Sequence, residues 1–317
     1  MELRHDTVLL EEAIERLNVQ ESDTVVDATI GGAGHFSALM KHLGPKGTLI
    51  GIDADHDAVV RAQVSVKEQD ASLLPRIEIV EDNFSNLASI LAQTGVTSPN
   101  RVLFDLGWSS FQLTVGKGFS FRADEPLLMT YGAPETSETT AEDLVNHLSE
   151  TSLADMIFSL GEERFSRGIA KSIVAAREEA PITTTFALVA AIEAGVPAWY
   201  RHRKLHPATK TFQALRIAVN NELGALRSGL ATALATLAPE GRIAVITFHS
   251  IEDRIVKSMF RDAAYAGQGT LVSKKPIAPS AQEIARNPRA RSAKLRVFES
   301  VGRAESSFTT TLTAVYA

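Results

Sequence analysis

With 317 residues, 44% hydrophobic and 22% charged, the chain suits one large or two modest globular domains and has the composition of neither a fibrous nor a disordered protein. It contains no cysteine, which excludes disulfides, thiolate nucleophiles and cysteine-held zinc together. The net charge of −6 argues mildly against a general nucleic-acid binder. The first residues lack the apolar core of a signal peptide and no apolar run nears the roughly 20 residues of a membrane span, so a cytoplasmic protein without membrane contact is expected.

Taken in order, Val8 to Leu17 has apolar residues at helical spacing and predicts an amphipathic helix ahead of the first strand. Thr24 to Asp27 is a short apolar strand that runs into Gly31-Gly32-Ala33-Gly34-His35 and then a helix over roughly 35 to 43. Three glycines in four positions let the backbone turn sharply and approach a bound molecule. The helix behind them aims its unpaired amides at the turn, where a carboxylate or phosphate is favoured. This predicts a cofactor cradle, and two cofactor classes fit it. Gly32-x-Gly34-x-x-Ser37, with Asp53 closing the next strand, approximates a dinucleotide fingerprint. Asp27, four residues before the first glycine, instead gives D-x-x-x-G-x-x-G, similar to an S-adenosylmethionine loop in which the first acid faces the methionine ammonium and the second takes the ribose hydroxyls. On these residues alone the two stand level.

Further strands are predicted at Thr48–Asp53, Arg76–Glu81 and Arg101–Asp105, with a helix from Asp57 to Gln69. Strands alternating with helices predict an α/β fold, a parallel sheet covered on both faces. Ligands in such sheets bind beyond the carboxyl ends of the strands, where Asp27, Asp53, Asn83-Phe84 and Asp105 all fall. From Leu113 to Lys204 the alternation gives way to helices at 141–148, 153–160, 162–178 and 185–194, an all-helical insertion. The domains expected are therefore 1–112 and 205–317 as two parts of one sheet domain, with 113–204 between them. A long helix over 208–237, a strand over 241–248, a helix over 251–262, an extended loop over 265–295 and a last strand over Phe308–Tyr316 complete the reading.

The chemistry is expected beside Asp105. A carboxylate there can hold an exocyclic amine, and Trp108 or Phe111 can stack on an extruded base. His249 and Ser250 superficially offer hydrolase parts, but no nucleophile elbow exists. No metal-ligand pattern is read: His202 and His206 lie among Arg201, Arg203 and Lys204, which repel cations. The charge is unevenly placed. Lys257 to Arg303 holds ten Lys/Arg against three Asp/Glu, and Arg201-His202-Arg203-Lys204 with Lys210 forms a second basic cluster. Basic patches on an acidic body are the footprint of phosphate recognition.

The chain also resembles a known family, the bacterial small-subunit ribosomal RNA (cytosine-N4)-methyltransferases. The matching segments run in family order: His5-Asp6-Thr7-Val8-Leu9-Leu10, the Gly31 to Ser37 loop, Ile52-Asp53-Ala54-Asp55, Asn83-Phe84, Asp105 to Leu113, Gly118-Phe119-Ser120-Phe121, Gly161-Glu162-Glu163, His206 to Ile217, Phe248 to Arg254, and Asn287 to Arg296. The resemblance implies a Rossmann-like class I S-adenosylmethionine-dependent methyltransferase with a helical substrate-binding insertion, acting on one decoding-centre cytosine of 16S ribosomal RNA or of the small subunit. Carried over by position, Ala33, Gly34 and His35 would contact the donor in the loop, Asp53 its ribose, Phe84 its adenine, and Asp105 and Gln112 its methyl end. The RNA would meet Trp108, Ser109, Arg203, Lys204, Lys210, Arg289, Arg291 and Lys294. The sequence does not separate a monomer from a homodimer. Three departures stand out: Pro126-Leu127-Leu128-Met129-Thr130-Tyr131 lacks the acid and base of the family's Pro-Leu-Asp-Met-Arg-Met, Trp108 and Phe111 stand where the family tends to have Val and Pro, and Ala33 replaces a glycine.

Overall fold

The computed structural model describes residues 6–107, 116–131 and 139–301. Its strands are β1 (Thr24–Asp27), β2 (Thr48–Asp53), β3 (Arg76–Glu81), β4 (Arg101–Asp105), β5 (Arg242–Thr247), β6 (Gly269–Leu271) and β7 (Lys294–Ser300). Its helices are α1 (Leu10–Leu17), α2 (Gly34–His42), α3 (His56–Lys67), α4 (Leu87–Gln93), α5 (Ala141–His147), α6 (Glu150–Gly161), α7 (Ser166–Glu179), α8 (Thr185–Ala194), α9 (Ala198–Arg201), α10 (Thr209–Val219), α11 (Glu222–Thr236), α12 (Ser250–Tyr265) and α13 (Ala281–Arg286).

The strands form one sheet in the order β3-β2-β1-β4-β5-β7-β6. The first five are parallel, with Val26 level with Ile50 and Val102, and Asp105 level with Ile246. β7 runs antiparallel to both its neighbours. Alternate residues feed opposite faces, as the pleat requires. Val25, Leu49, Leu103, Ala244 and Ile246 join α1, α2 and α3 in one core, while Val26, Ile50, Val102, Phe104, Ile243 and Val245 join α4, α11 and α12 in the other. Every connection out of β1, β2 and β4 leaves from the same edge, so the acids ending those strands converge there.

A third core belongs to the helices. It gathers Leu127 and Met129, the inner faces of α5 to α8, and Ala208, Phe212 and Leu215 from beyond residue 204. Gly168 and Gly195 meet backbone to backbone between α7 and the end of α8, where a Cβ on Gly168 would lie 2.5 Å from the Gly195 carbonyl oxygen.

Three expectations change. The helix read over 208–237 is two helices, because Asn221 takes a left-handed conformation (φ 46°) that asparagine tolerates better than most residues. Next to it the Asn220 side chain holds the Met129 carbonyl (2.7 Å) and the Tyr131 amide (2.9 Å). The helix read from Glu162 begins at Ser166, since Glu162 itself (φ 51°) terminates α6. The stretch read as loop over 265–295 contains β6 and α13 and leads into β7. β7 hides from a hydropathy reading because Lys294 and Arg296 interrupt it. Both pair with Asp253 on α12, at 2.9 and 2.7 Å. The strand expected over Phe308–Tyr316 lies outside the described residues.

Candidate active site

The glycine turn and the acid ending β2 fix one another. Gly31 (φ 51°) donates its amide to Asp53 Oδ2 at 2.7 Å, and the Asp55 amide takes Asp53 Oδ1 at 2.9 Å. Arg61 donates to the Gly31 carbonyl at 3.2 and 3.3 Å. Burial pushes the Asp53 carboxyl up to about 6, against the two amides that lower it. Ala33 caps α2 in the left-handed region, φ 61°.

Beneath the turn lies a buried charged trio. Asp27 is fully buried; its Oδ1 accepts the Thr29 amide at 3.2 Å, and burial pushes its carboxyl up to about 7, against the nearby His35 charge. His35 Nδ1 stands 3.3 Å from Asp105 Oδ2. Burial pulls the imidazole down, but the bond and charge of Asp105 and the charge of Asp27 outweigh it and raise its pKa. Asp27 Oδ2, His35 Nε2 and Asp105 Oδ1 are buried without a hydrogen-bond partner among the described residues. Buried polar atoms are normally satisfied, so three together mark a place built for something else.

Two of the three, His35 and Asp105, line a cavity of about 440 Å³, within the range of small-molecule sites. Of the residues singled out from sequence, Gly31, Gly34, His35, Asp53, Phe84, Asp105 and Arg289 line it. Phe84 is set by its edge-on contact with Phe104, centroids 5.6 Å apart. Asp27 sits just behind the wall, and Ala33 acts through the turn. Arg203, Lys204, Lys210, Arg291 and Lys294 do not line the cavity. Arg203 packs over the Tyr200 ring at 5.4 Å, Lys210 donates to the Glu162 carbonyl at 2.7 Å, and Lys294 pairs with Asp253. Trp108, Ser109, Phe111 and Gln112 lie outside the described residues.

Of the opposite wall only His249 was singled out from sequence. Arg216, buried, grips both oxygens of Glu222 at 2.7 and 2.8 Å, and the Tyr131 hydroxyl donates to Glu222 Oε1 at 2.8 Å. Beside them Glu252 accepts the Phe248 amide at 2.8 Å and the His249 amide at 3.2 Å. Burial raises the Glu252 carboxyl, but His249, the Arg216 charge and the Phe248 amide prevail and hold it below the usual range. The available signal was chemical: an Arg and two Glu on apolar-faced helices must be paired if buried. Glu222, His249 and Glu252 bring ligand-type atoms within 4.8 Å of one another, a grouping the sequence reading did not find. The Arg216 fork already occupies both Glu222 oxygens and balances their charge.

A parallel sheet of this order with an antiparallel strand next to the last, an acid ending β1, a glycine turn and an acid ending β2 define a class I S-adenosylmethionine-dependent methyltransferase. More narrowly, the chain belongs to the MraW methylase family, whose family model matches residues 2–301. The dinucleotide alternative falls with that match. The chain is 41% identical to the ribosomal RNA small subunit methyltransferase H of Lachnospira eligens, covering 95% of this chain and 99% of that protein. It is 45% identical to the protein of the same name from Deinococcus radiodurans, over 96% of this chain and 92% of that one. Among solved structures, an rRNA methylase from Streptococcus thermophilus aligns at a TM-score of 0.39 and 12% identity, covering 92% of this chain and 93% of that one.

Proposed function

We propose that the enzyme methylates the exocyclic N4 amine of one decoding-centre cytosine in 16S ribosomal RNA, with S-adenosylmethionine as donor. The observation that carries the reading is Asp105 Oδ1, a buried acceptor without a partner among the described residues, at the end of β4 in the cavity. An amine about to be methylated needs such an acceptor to turn its lone pair and later take its proton. The choice of 16S RNA follows the names of the relatives, and the choice of cytosine N4 follows the motif resemblance.

Asp27 Oδ2 and His35 Nε2, which leave Asp105 Oδ1 to the amine, fit the donor's methionine end, whose ammonium matches the Asp27 carboxylate. Asp53 suits the ribose hydroxyls, Phe84 the adenine, and Ala33, Gly34 and His35 the remaining loop contacts, with Gln112 assigned by resemblance. The donor supplies an electrophilic methyl; the protein's own part is to hold the amine in line and exclude water. The Leu128 and Thr130 departures leave this side intact, since Leu127 and Met129 are core residues and Tyr131 answers to Glu222.

Residues 113–204 are read as the RNA-binding domain. Arg164 lies 4.7, 4.9 and 5.6 Å from the Phe165, Trp199 and Tyr200 rings, Trp199 is more than half exposed, and Arg201 to Lys204 follow directly. Cations interleaved with aromatics suit an unpaired RNA strand. No described helix is long and apolar enough to cross a membrane, and the reading places the enzyme in the cytoplasm with the ribosome. The test is incubation with labelled donor and small subunits lacking the modification, then mapping of the labelled base. Label on cytosine N4 is expected; its absence, or NAD binding as well as the donor in calorimetry, overturns the reading.

A further inference from the structure

The target base must be told from uracil, and the cavity holds a second unspent group that can do this. His249 is the N-cap of α12, and its Nδ1 accepts the Glu252 amide at 3.3 Å. A neutral imidazole that accepts at Nδ1 carries its proton on Nε2. Nε2 is buried and makes no aligned hydrogen bond among the described residues: Glu252 Oε1, 3.1 Å away, lies off the line of the N–H, near enough for His249 to lower the Glu252 carboxyl but leaving the direction of the N–H itself unfilled. His249 and Asp105 both line the cavity, from the ends of adjacent strands. One offers a donor and the other an acceptor. The frame behind His249 is stiff: Glu252 is held by two backbone amides, and Arg216, Glu222 and Tyr131 are bonded to one another.

We propose that His249 Nε2–H donates to ring nitrogen N3 of the target cytosine while Asp105 Oδ1 accepts from its N4 amine, so that the pair reads the pyrimidine's acceptor and donor edge. The proposal rests on the cytosine-N4 reading above. Cytosine presents an amine donor beside an unprotonated N3. Uracil presents a carbonyl beside N3–H, which would set acceptor against Asp105 and donor against His249. A site built to hydrogen-bond its substrate rejects an analogue that leaves those groups unpaired.

His249→Asn tests this without removing the helix cap, since asparagine caps as well as any residue but is too short to reach the cavity. His249→Gln extends an N–H donor toward the Nε2 position. Each variant, with wild type, is given small subunits reconstituted with 16S RNA carrying cytidine or 3-deazacytidine at the methylated position. In the wild type the deaza base is expected to lower kcat/KM by about 10- to 100-fold, the size of one lost buried hydrogen bond. His249→Asn should lose about as much on cytidine and little more on the deaza base, His249→Gln should recover most of the loss, and donor affinity should stay at the wild-type value in all three. A cytidine-to-deaza ratio equal in wild type and His249→Asn, or full activity of His249→Asn, overturns the proposal. If the wild type leaves the cytidine amine unmethylated, the functional reading itself falls and this proposal with it.

Discussion

At the scale of single residues, Asp27 ties donor binding to pH. Its carboxyl is raised by burial to about 7 from 3.8, so the folded protein without donor holds this proton more tightly than the unfolded chain. By linkage the group costs stability progressively as pH climbs from about 4 to about 7, and no further above that. An ammonium beside Asp27 needs the ionised form, so binding releases a proton below pH 7. Donor affinity should therefore rise from about pH 5.5 to about pH 7 and level off, and Asp27→Asn should both weaken and flatten it. Calorimetry in buffers of different ionisation heat reads the released proton, and a flat profile in the wild type sinks the assignment. Ala33 offers a second case. Its φ of 61° costs an L-residue about 1 kcal/mol that glycine avoids. Ala33→Gly is expected to raise stability by about 0.5–1 kcal/mol in denaturant melts with donor affinity unchanged; a fall in stability would show that the buried methyl matters more than the strain.

Among elements, those with a single dominant signal were legible and those set by their neighbours were not. β2 and β4 were read to the residue because buried parallel strands are apolar runs bounded by turns, and β3, half-buried at the edge of the sheet, because Ile77, Ile79 and Val80 form a short β-branched run between polar ends. β7 was missed because its two cations, Lys294 and Arg296, are answered by Asp253, 41 and 43 positions away in sequence. The break between α10 and α11, at the left-handed Asn221, escaped because the bonds that hold the chain there, from Asn220 to Met129 and Tyr131, are tertiary. In the site, the wall built by the β-strand ends, His249 included, was foreseen and the Arg216–Glu222–Glu252 group beside it was not, for the same reason. One helix carries a further consequence. Gly229 of α11 faces Phe84, and a Cβ there would sit 2.8 Å from Phe84 Cδ2 and 2.9 Å from its carbonyl oxygen. The ring could turn aside but the backbone cannot. Gly229→Ala should cost about 1–3 kcal/mol, in the range for overpacking, and weaken donor binding by displacing the ring expected to cover the adenine. A variant as stable as wild type, with equal affinity, would show that α11 and Phe84 have slack between them.

For the molecule as a whole, the decisive relation is how the helical body sits over the sheet, and Glu162 is placed to set it. Glu162 ends α6 in a left-handed turn; its side chain bonds the Ser250 hydroxyl and reaches Arg254 Nη2 at 2.6 Å, both on the first turns of α12, while its carbonyl accepts Lys210 Nζ at 2.7 Å. The Ser250 hydroxyl and the Arg254 guanidinium hold its carboxyl below the usual range, so the clasp stays charged throughout the neutral range. The pair is exposed, Arg254 at 66% and Glu162 at 40%, and exposed pairs contribute only about 0.2–1 kcal/mol. Its removal should therefore barely move the melting temperature. Position is another matter: Ser250 adjoins His249, so the clasp fixes the helical body against the wall proposed to face the base, and small misplacements of a reacting group cost far more in rate than in stability. Glu162→Gln, with the donor affinity of wild type, is expected to lower kcat/KM for small subunits by about tenfold. Arg254→Ala should do the same, and the double variant should lose little beyond either single change, as residues sharing one interaction do. Full additivity of the two losses would mean that Glu162 and Arg254 touch the RNA separately rather than through each other, and an undiminished rate in Glu162→Gln would mean that the helical body is held in place by its apolar contacts alone.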